Sequence, residues 1–370
     1  MLTSFCTVSR VSLAIGLLAA PLGVWAQASS PADGSGWRDA NATVGQFKRG
    51  HADVLKWEQR EAQMAAEPAP ASAPVGLPLT RAEDAVRLAW QVHRELAQVL
   101  AQVGIKNVDL LARGHWDDID PFLFRRIGGL DEVVEVAVQA RKAWIDAVFA
   151  QARLKPVRAA LDAASAANTL GQRMRSVGNW SALQQADVQL AAVAASMALQ
   201  RDRYAATQAQ VRLIDVLQLS GMYASVQLPD RLPELPAKAL SDADIAERAR
   251  AMQDRLPRAN RLRNERDVAL RSLAYQTSHA LARKARDEVL AQREFITEET
   301  VLQYNGMLKS TWDLLDASRA QSLAAASALQ AQHDFEIARV DLQWVLLGGE
   351  PASPISLGGD GGDTSAVAGH

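Results

Sequence analysis

Cysteine is almost absent. Cys6 is the only one in 370 residues, and it precedes an apolar run that reads as part of an export signal. A chain with no later thiol has no disulfide framework, no cysteine metal ligand and no lipid acceptor at a cleavage site. Aromatic residues make up only 5% of the chain, which favours helices packed closely through small side chains over a core of large rings. Basic charge is not in surplus: 40 Lys and Arg stand against 42 Asp and Glu. The electrostatic footprint of a nucleic-acid binder is therefore missing. So are the G-x-S-x-G, P-loop and G-x-G-x-x-G signatures. His51, His93, His115, His279, His333 and His370 include no pair at the i,i+4 spacing of a helical metal site, and they read as surface or packing groups. The methionines are too dispersed for a copper relay. An enzyme, a cofactor and a resident metal are not expected.

What the chain has begins with an export signal at residues 1–26. Arg10 supplies the positive start, VSLAIGLLAAPLGVW the apolar run, and Val24-Trp25-Ala26 the cleavage pattern. The run is shorter than the roughly 20 residues of a membrane span, and no later run is longer. Residues 27–79 read as a tethered segment. A small, polar stretch leads into an amphipathic helix over 37–64, striped by Val44, Phe47, His51, Val54, Leu55 and Trp57. A Pro/Ala linker over 65–78 follows.

The body is helical and duplicated. Thr80 and Glu83 predict a capped start to an apolar-periodic run through Val103. Residues 104–129, with Gly104, Gly114, Pro121 and Gly128-Gly129, read as irregular. A long helix is predicted from Leu130 to Val177 with a kink at Pro156. Gly178-Asn179 breaks it, and Ser181 caps a return helix to about Leu219. Residues 221–240, rich in proline, read as a linker whose only alternation is Met222 to Leu228. The pattern then recurs: a short helix over 242–256, a long one to Tyr304, a break at Asn305-Gly306, and a return to Leu347 before Gly348-Gly349. Gly178 and Gly306 lie 128 apart, whereas Ala209, Leu213 and Leu217 match Ala338, Leu342 and Leu346 at 129. The predicted fold is all-α: a two-repeat bundle of long, antiparallel, coiled-coil-like hairpins, repeat 1 over 80–220 and repeat 2 over 241–349. Residues 350–370 form a Gly/Ser/Asp-rich tail. Trp90, Trp144, Trp312 and Trp344 sit in apolar stripes and are expected in the core.

The breaks carry a resemblance. QYNGMLKSTWDLLDASRAQSLAAASALQAQHDFEIARVDLQWVLLGG, residues 303–349, resembles the TolC family of outer-membrane efflux proteins. It has Tyr304, Gly306, Ser310, then Asp313, Leu315, Asp316 and Ala317, and closes on Leu342 and Gly348. RMRSVGNWSALQQADVQLA, residues 173–191, matches more loosely. In that family three chains form a tube, each repeat gives two strands to an outer-membrane barrel, and the hairpin tips dock a pump's periplasmic adaptor. The resemblance implies a homo-oligomer in the periplasm or at the outer membrane. It makes Gly178, Asn179, Trp180 and Ser181, with Tyr304, Asn305, Gly306, Met307, Lys309 and Ser310, the residues that meet the adaptor. Asp313 and Asp316, three apart on one helix face, would form rings of negative charge at the aperture; the alternative is a solvated face with Asp316 paired to Arg319. Tyr304-Asn305-Gly306-Met307 is similar to the tips of metal-resistance members, which implies metal ions among the exported solutes.

Two departures stand against the family pattern. A membrane strand needs about 9–11 residues of alternating character, and neither 107–130 nor 273–290 supplies one; LAYQTSHALARKARDEVLAQ reads as helix. Asp313 also follows Gly306 by seven residues, one more than the family spacing. Two functions therefore stand side by side: a TolC-like efflux component, and a barrel-less periplasmic scaffold or binding protein without transport.

Overall fold

Long runs of Ala, Leu, Gln and Arg, with breakers confined to a few sites, leave the backbone little choice but helix. A computed structural model describes residues 76–120, 122–223, 225–253 and 258–351. The expected export signal, the 37–64 helix with most of its linker, and residues 352–370 lie outside the described residues.

The elements run β1 (Leu77–Pro78), α1 (Ala82–Val92), α2 (Ala97–Val103), α3 (Ile105–Arg113), α4 (Leu123–Arg126), α5 (Leu130–Ser176), α6 (Ala182–Val216), β2 (Val226–Gln227), α7 (Asp242–Gln253), α8 (Arg258–Arg283), a π-helical turn (Lys284–Leu290), α9 (Ala291–Asn305) and α10 (Thr311–Leu346). The protein is all-α. α5 and α6 form one long antiparallel hairpin; α8, the π turn and α9 run on as one rod and form the second with α10. α5 has 47 residues, so it is about 70 Å long. Shifting Leu130–Ser176 by 129 gives 259–305, the span of the second rod almost to the residue. Pro156 shifted by 129 falls at Ala285, inside the π turn. The two rods are thus interrupted at the same height, by a missing N–H in one and an extra residue per turn in the other.

α5 packs on α6 and on α10, and α10 packs on α8 and α9. The order across the bundle is therefore α6, α5, α10, then α8–α9. The main core lies where α1, α3 and the ends of α5 and α6 meet: Val86, Trp90, Leu111, Trp116, Val133, Trp144, Leu213 and Leu217 are buried there. A second core gathers Ile245, Val268, Tyr275, Phe335 and Leu342. Towards the tips the helices pack through Ala163, Ala164, Ala324, Ala326 and Ala328. Ion pairs tie the two halves together. Asp341 of α10, fully buried, binds Lys142 of α5 and, at 3.2 Å, Arg271 of α8. His333 of α10 lies 2.8 Å from Asp146 of α5 and 3.2 Å from Asp334.

Several expectations are corrected. The cap of α1 is Arg81, not Thr80: Asp84 accepts from the Arg81 N–H at 3.1 Å, and Thr80 instead donates its hydroxyl to Asp84. The run to Val103 is broken at His93, where the backbone leaves the helical region. Residues 104–129 are not irregular; α3 and α4 lie in them, because Gly104 and Gly114 end helices rather than forbid them. The Met222–Leu228 alternation yields only Val226–Gln227, paired in parallel with Leu77–Pro78. Trp90 and Trp144 are buried, but Trp312 and Trp344 are half-buried.

Candidate functional site: the hairpin tips

The two turns are built alike. In the first, the Gly178 N–H donates to the Arg175 carbonyl at 3.0 Å and the Asn179 N–H to the Met174 carbonyl at 2.9 Å. This closure requires a left-handed residue, and Gly178 has φ +79°. Ser181 then caps α6: its Oγ accepts from the Gln184 N–H at 3.2 Å, while Gln184 Oε1 accepts from the Ser181 N–H at 3.0 Å. In the second turn the Met307 N–H donates to the Tyr304 carbonyl at 3.0 Å and the Leu308 N–H to Gln303 at 2.8 Å. Ser310 and Asp313 repeat the reciprocal cap at 3.2 and 2.8 Å.

The left-handed residue of the second turn is Met307, at φ +59°. Gly306 has φ −80°, so the bend does not use its freedom. Gly178 corresponds to Met307, Ser181 to Ser310 and Gln184 to Asp313, all at the repeat spacing of 129. The apparent spacing of 128 equated two glycines with different jobs. Counted from the left-handed residue, Asp313 is where Gln184 is, and the second turn is no looser than the first.

Trp180 and Trp312 lock the tips to one end of the molecule. Their rings stack at 4.3 Å and 22°. Gly171 makes room, for a Cβ there would lie 3.0 Å from the Trp180 ring and 2.8 Å from Val188. The sequence placed Trp312 in the core; only the meeting of the two hairpins gives it a partner. Around this clasp the surface is apolar and open: Val177, Leu183, Met307 and Leu308 are exposed, Met307 at 94%. Asn179, Tyr304, Asn305, Lys309 and Ser310 are exposed beside them. Val177, Leu183 and Leu308 were not singled out in the sequence, though three apolar residues flanking helix breaks are themselves a signal of a surface awaiting cover.

Asp313 and Asp316 both line a cleft of ≈ 510 Å³ among α5, α6, α9 and α10, with Trp312 and Arg319. Asp313 is engaged in its cap. Hydrogen bonds from Ser310 hold its carboxyl below the usual range, and Lys309, 3.7 Å away, adds to this. Asp316 and Arg319 share the cleft but form no ion pair, contrary to one expectation.

Among the described residues no group of three or more His, Cys, Asp or Glu is arranged to hold a metal, and no helix is long and apolar enough to cross a membrane.

Likenesses to known proteins are confined to structure. No protein-family model matches the chain, and no curated protein matches it by sequence. A crystal structure of a membrane protein from Pseudomonas aeruginosa is similar at 16% identity and TM-score 0.44, over 59% of this chain and 69% of that one. Crystal structures of CusC, concerned with folding and transmembrane channel formation, are similar at 12% identity and TM-score 0.42, over 72% of this chain and 92% of that one. The all-α architecture stands on the chain's own helices.

Proposed function

We propose that this protein is a TolC-like component of a tripartite efflux system in the Gram-negative envelope. It exports small solutes, metal ions among them, and has no catalytic role. The observation that carries the reading is the pair of matching turns clasped at one end by Trp180 and Trp312, presenting Val177, Met307 and Leu308 to solvent. Two hairpin tips side by side offer an apolar groove to a third helical hairpin, the usual way a coiled-coil partner is recognised. The partner in this reading is the coiled-coil hairpin of a periplasmic adaptor. The test is capture of a co-expressed adaptor by the full chain. Met307→Asp with Leu308→Asp should abolish capture while leaving the circular dichroism spectrum unchanged; capture that survives both changes would overturn the assignment of the tips.

A second reading has its own observation. The only strands among the described residues are two residues long, far short of the 9–11 a membrane strand needs. In that reading the protein is a barrel-less periplasmic scaffold. Fractionation separates the two: an efflux duct stays with the outer membrane, and a scaffold is released by osmotic shock.

A further inference from the structure

Away from the tips, a cleft of ≈ 580 Å³ opens between the start of α1, the end of α3, α5, α10 and the 229–233 linker. Arg81, Arg113, Arg141, Arg231 and Arg339 all line it. They come from five separate stretches of chain, so only folding brings their like charges together, at an electrostatic cost. Nearby carboxylates offset part of it. Glu83 lies 2.7 Å from Arg81 and 3.6 Å from Arg113, Asp109 lies 3.0 Å from Arg113, and the fully buried Glu336 lies 2.6 Å from Arg339.

Arg141 forms an ion pair with none of them. It is 6% exposed and packs onto Gly114, where a Cβ would sit 2.7 Å from its Cζ. Its Nη2 donates to the Ala112 carbonyl at 2.6 Å. Its Nε, like that of Arg339, is buried without a hydrogen-bond partner. Burial pushes Arg141 down to about 10; Arg339 adds to this, and Glu336 and Glu83 oppose it. A buried guanidinium with no paired carboxylate is expensive to keep. Its planar fork suits phosphate and carboxylate oxygens. The first turn of α1, at Ala82 and Glu83, adds the favourable end of a helix dipole to the same wall. Thr80 and His115 add polar groups to the lining, and Trp144, Leu232 and the two prolines Pro229 and Pro233 give it an apolar side.

We propose that this cleft binds an organic phosphomonoester, its dianionic head among the arginines and its apolar body against Trp144, Pro229 and Pro233. A dianion suits it better than a monocarboxylate, because five guanidiniums set against Glu83, Asp109 and Glu336 leave two positive charges to neutralise. A soluble phosphomonoester and a lipid headgroup share this chemistry, so the test has two arms. In the first, calorimetry of the full chain at low salt uses phenyl phosphate, with phenol as the neutral control. In the second, the chain is pelleted with phosphatidylcholine vesicles with and without phosphatidic acid. Phenyl phosphate should bind and phenol should not. Arg231→Gln and Arg339→Gln should each weaken binding about tenfold or more, and Arg203→Gln on α6 should leave it unchanged. Arg231 is exposed, so that variant folds even where a change at Arg141 does not. Pelleting that depends on both phosphatidic acid and Arg231 assigns the phosphate to a lipid; phenyl phosphate binding without pelleting assigns it to a soluble ligand. The proposal is overturned if neither probe binds, or if Arg203→Gln weakens binding as much as Arg231→Gln.

Discussion

Gly178, Gly306 and Met307 show how one conformational requirement decides what a tip tolerates. A left-handed backbone costs an L-residue about 1–2 kcal/mol, and glycine is free of that cost. Met307 carries it at the most exposed apolar position of the second tip. Met307→Gly should therefore stabilise the chain by about 1 kcal/mol, and Gly178→Ala should destabilise it by a similar amount, both read from urea midpoints. Gly306→Ala should be nearly neutral, since a Cβ there meets nothing closer than 3.6 Å. An equal loss at Gly178 and Gly306 would show that the turns are not built as described. Sequence alone could not make this distinction. It showed that both hairpins turn near a glycine, and Ser181 was legible as a cap; the matching cap at Ser310 was not, because the return helix was expected to start nearer Met307. Which residue adopts φ > 0, however, is set by the hydrogen-bond closure, and that closure places a methionine where pattern matching looked for a glycine.

At the scale of elements, the long helices were readable because breakers are so sparse along them, and 273–292 was readable as helix because its charges exclude a lipid-facing strand. Residues 104–129 were not, because glycines that cap short helices look the same in sequence as glycines that prevent them. Nor was the polar seam between α5 and α10 legible, since its partners lie up to 199 residues apart, as Lys142 and Asp341 do. His333 makes that seam sensitive to pH. Burial alone would lower its pKa, but hydrogen bonds to Asp146 and Asp334, helped by their charges, raise it from 6.5 to about 9. A raised histidine pKa stabilises the fold fully below pH 6.5, and that contribution is lost as pH rises through about 9; the difference is worth up to about 3 kcal/mol. Unfolding free energy should fall across this window, and His333→Gln should flatten the profile. The raised pKa of buried Glu336, caused by its burial, also removes stability as pH rises above about 4.5, so the difference between the native and His333→Gln profiles is what isolates His333. Asp341→Ala should cost about 3 kcal/mol or more, because it strands Arg271 and Lys142 without their shared carboxylate.

At the scale of the whole molecule, the described residues form two central and two outer rods, and the outer ones are incompletely covered among them. α6 packs on α5 and turns its other side outward. Leu183, Leu190, Met197, Tyr204 and Val211 recur on it at intervals of seven and are all exposed, four of them by half or more. A strict seven-residue apolar stripe is the seam of a coiled coil, and no helix among the described residues fills it. The opposite outer rod exposes Leu262, Leu270, Leu273, Leu281 and Phe295. A chain with an apolar stripe on one flank and another on the other can meet copies of itself flank to flank, and such a heterologous contact closes only as a ring. Self-association is accordingly expected at micromolar concentration, and light scattering should report a mass above 40.0 kDa for the full chain. Leu190→Glu with Tyr204→Glu removes two contacts worth about 1.5–3 kcal/mol each, so the pair should weaken assembly by about a hundredfold or more without loss of helix. Leu262→Glu with Leu273→Glu on the opposite flank should do the same. Equimolar mixing of the two double variants should restore one intact contact per pair of chains and give dimers that do not grow. A full chain that stays monomeric at every concentration, or variants on one flank alone that disperse it while the other flank tolerates charge, would leave the ring without support.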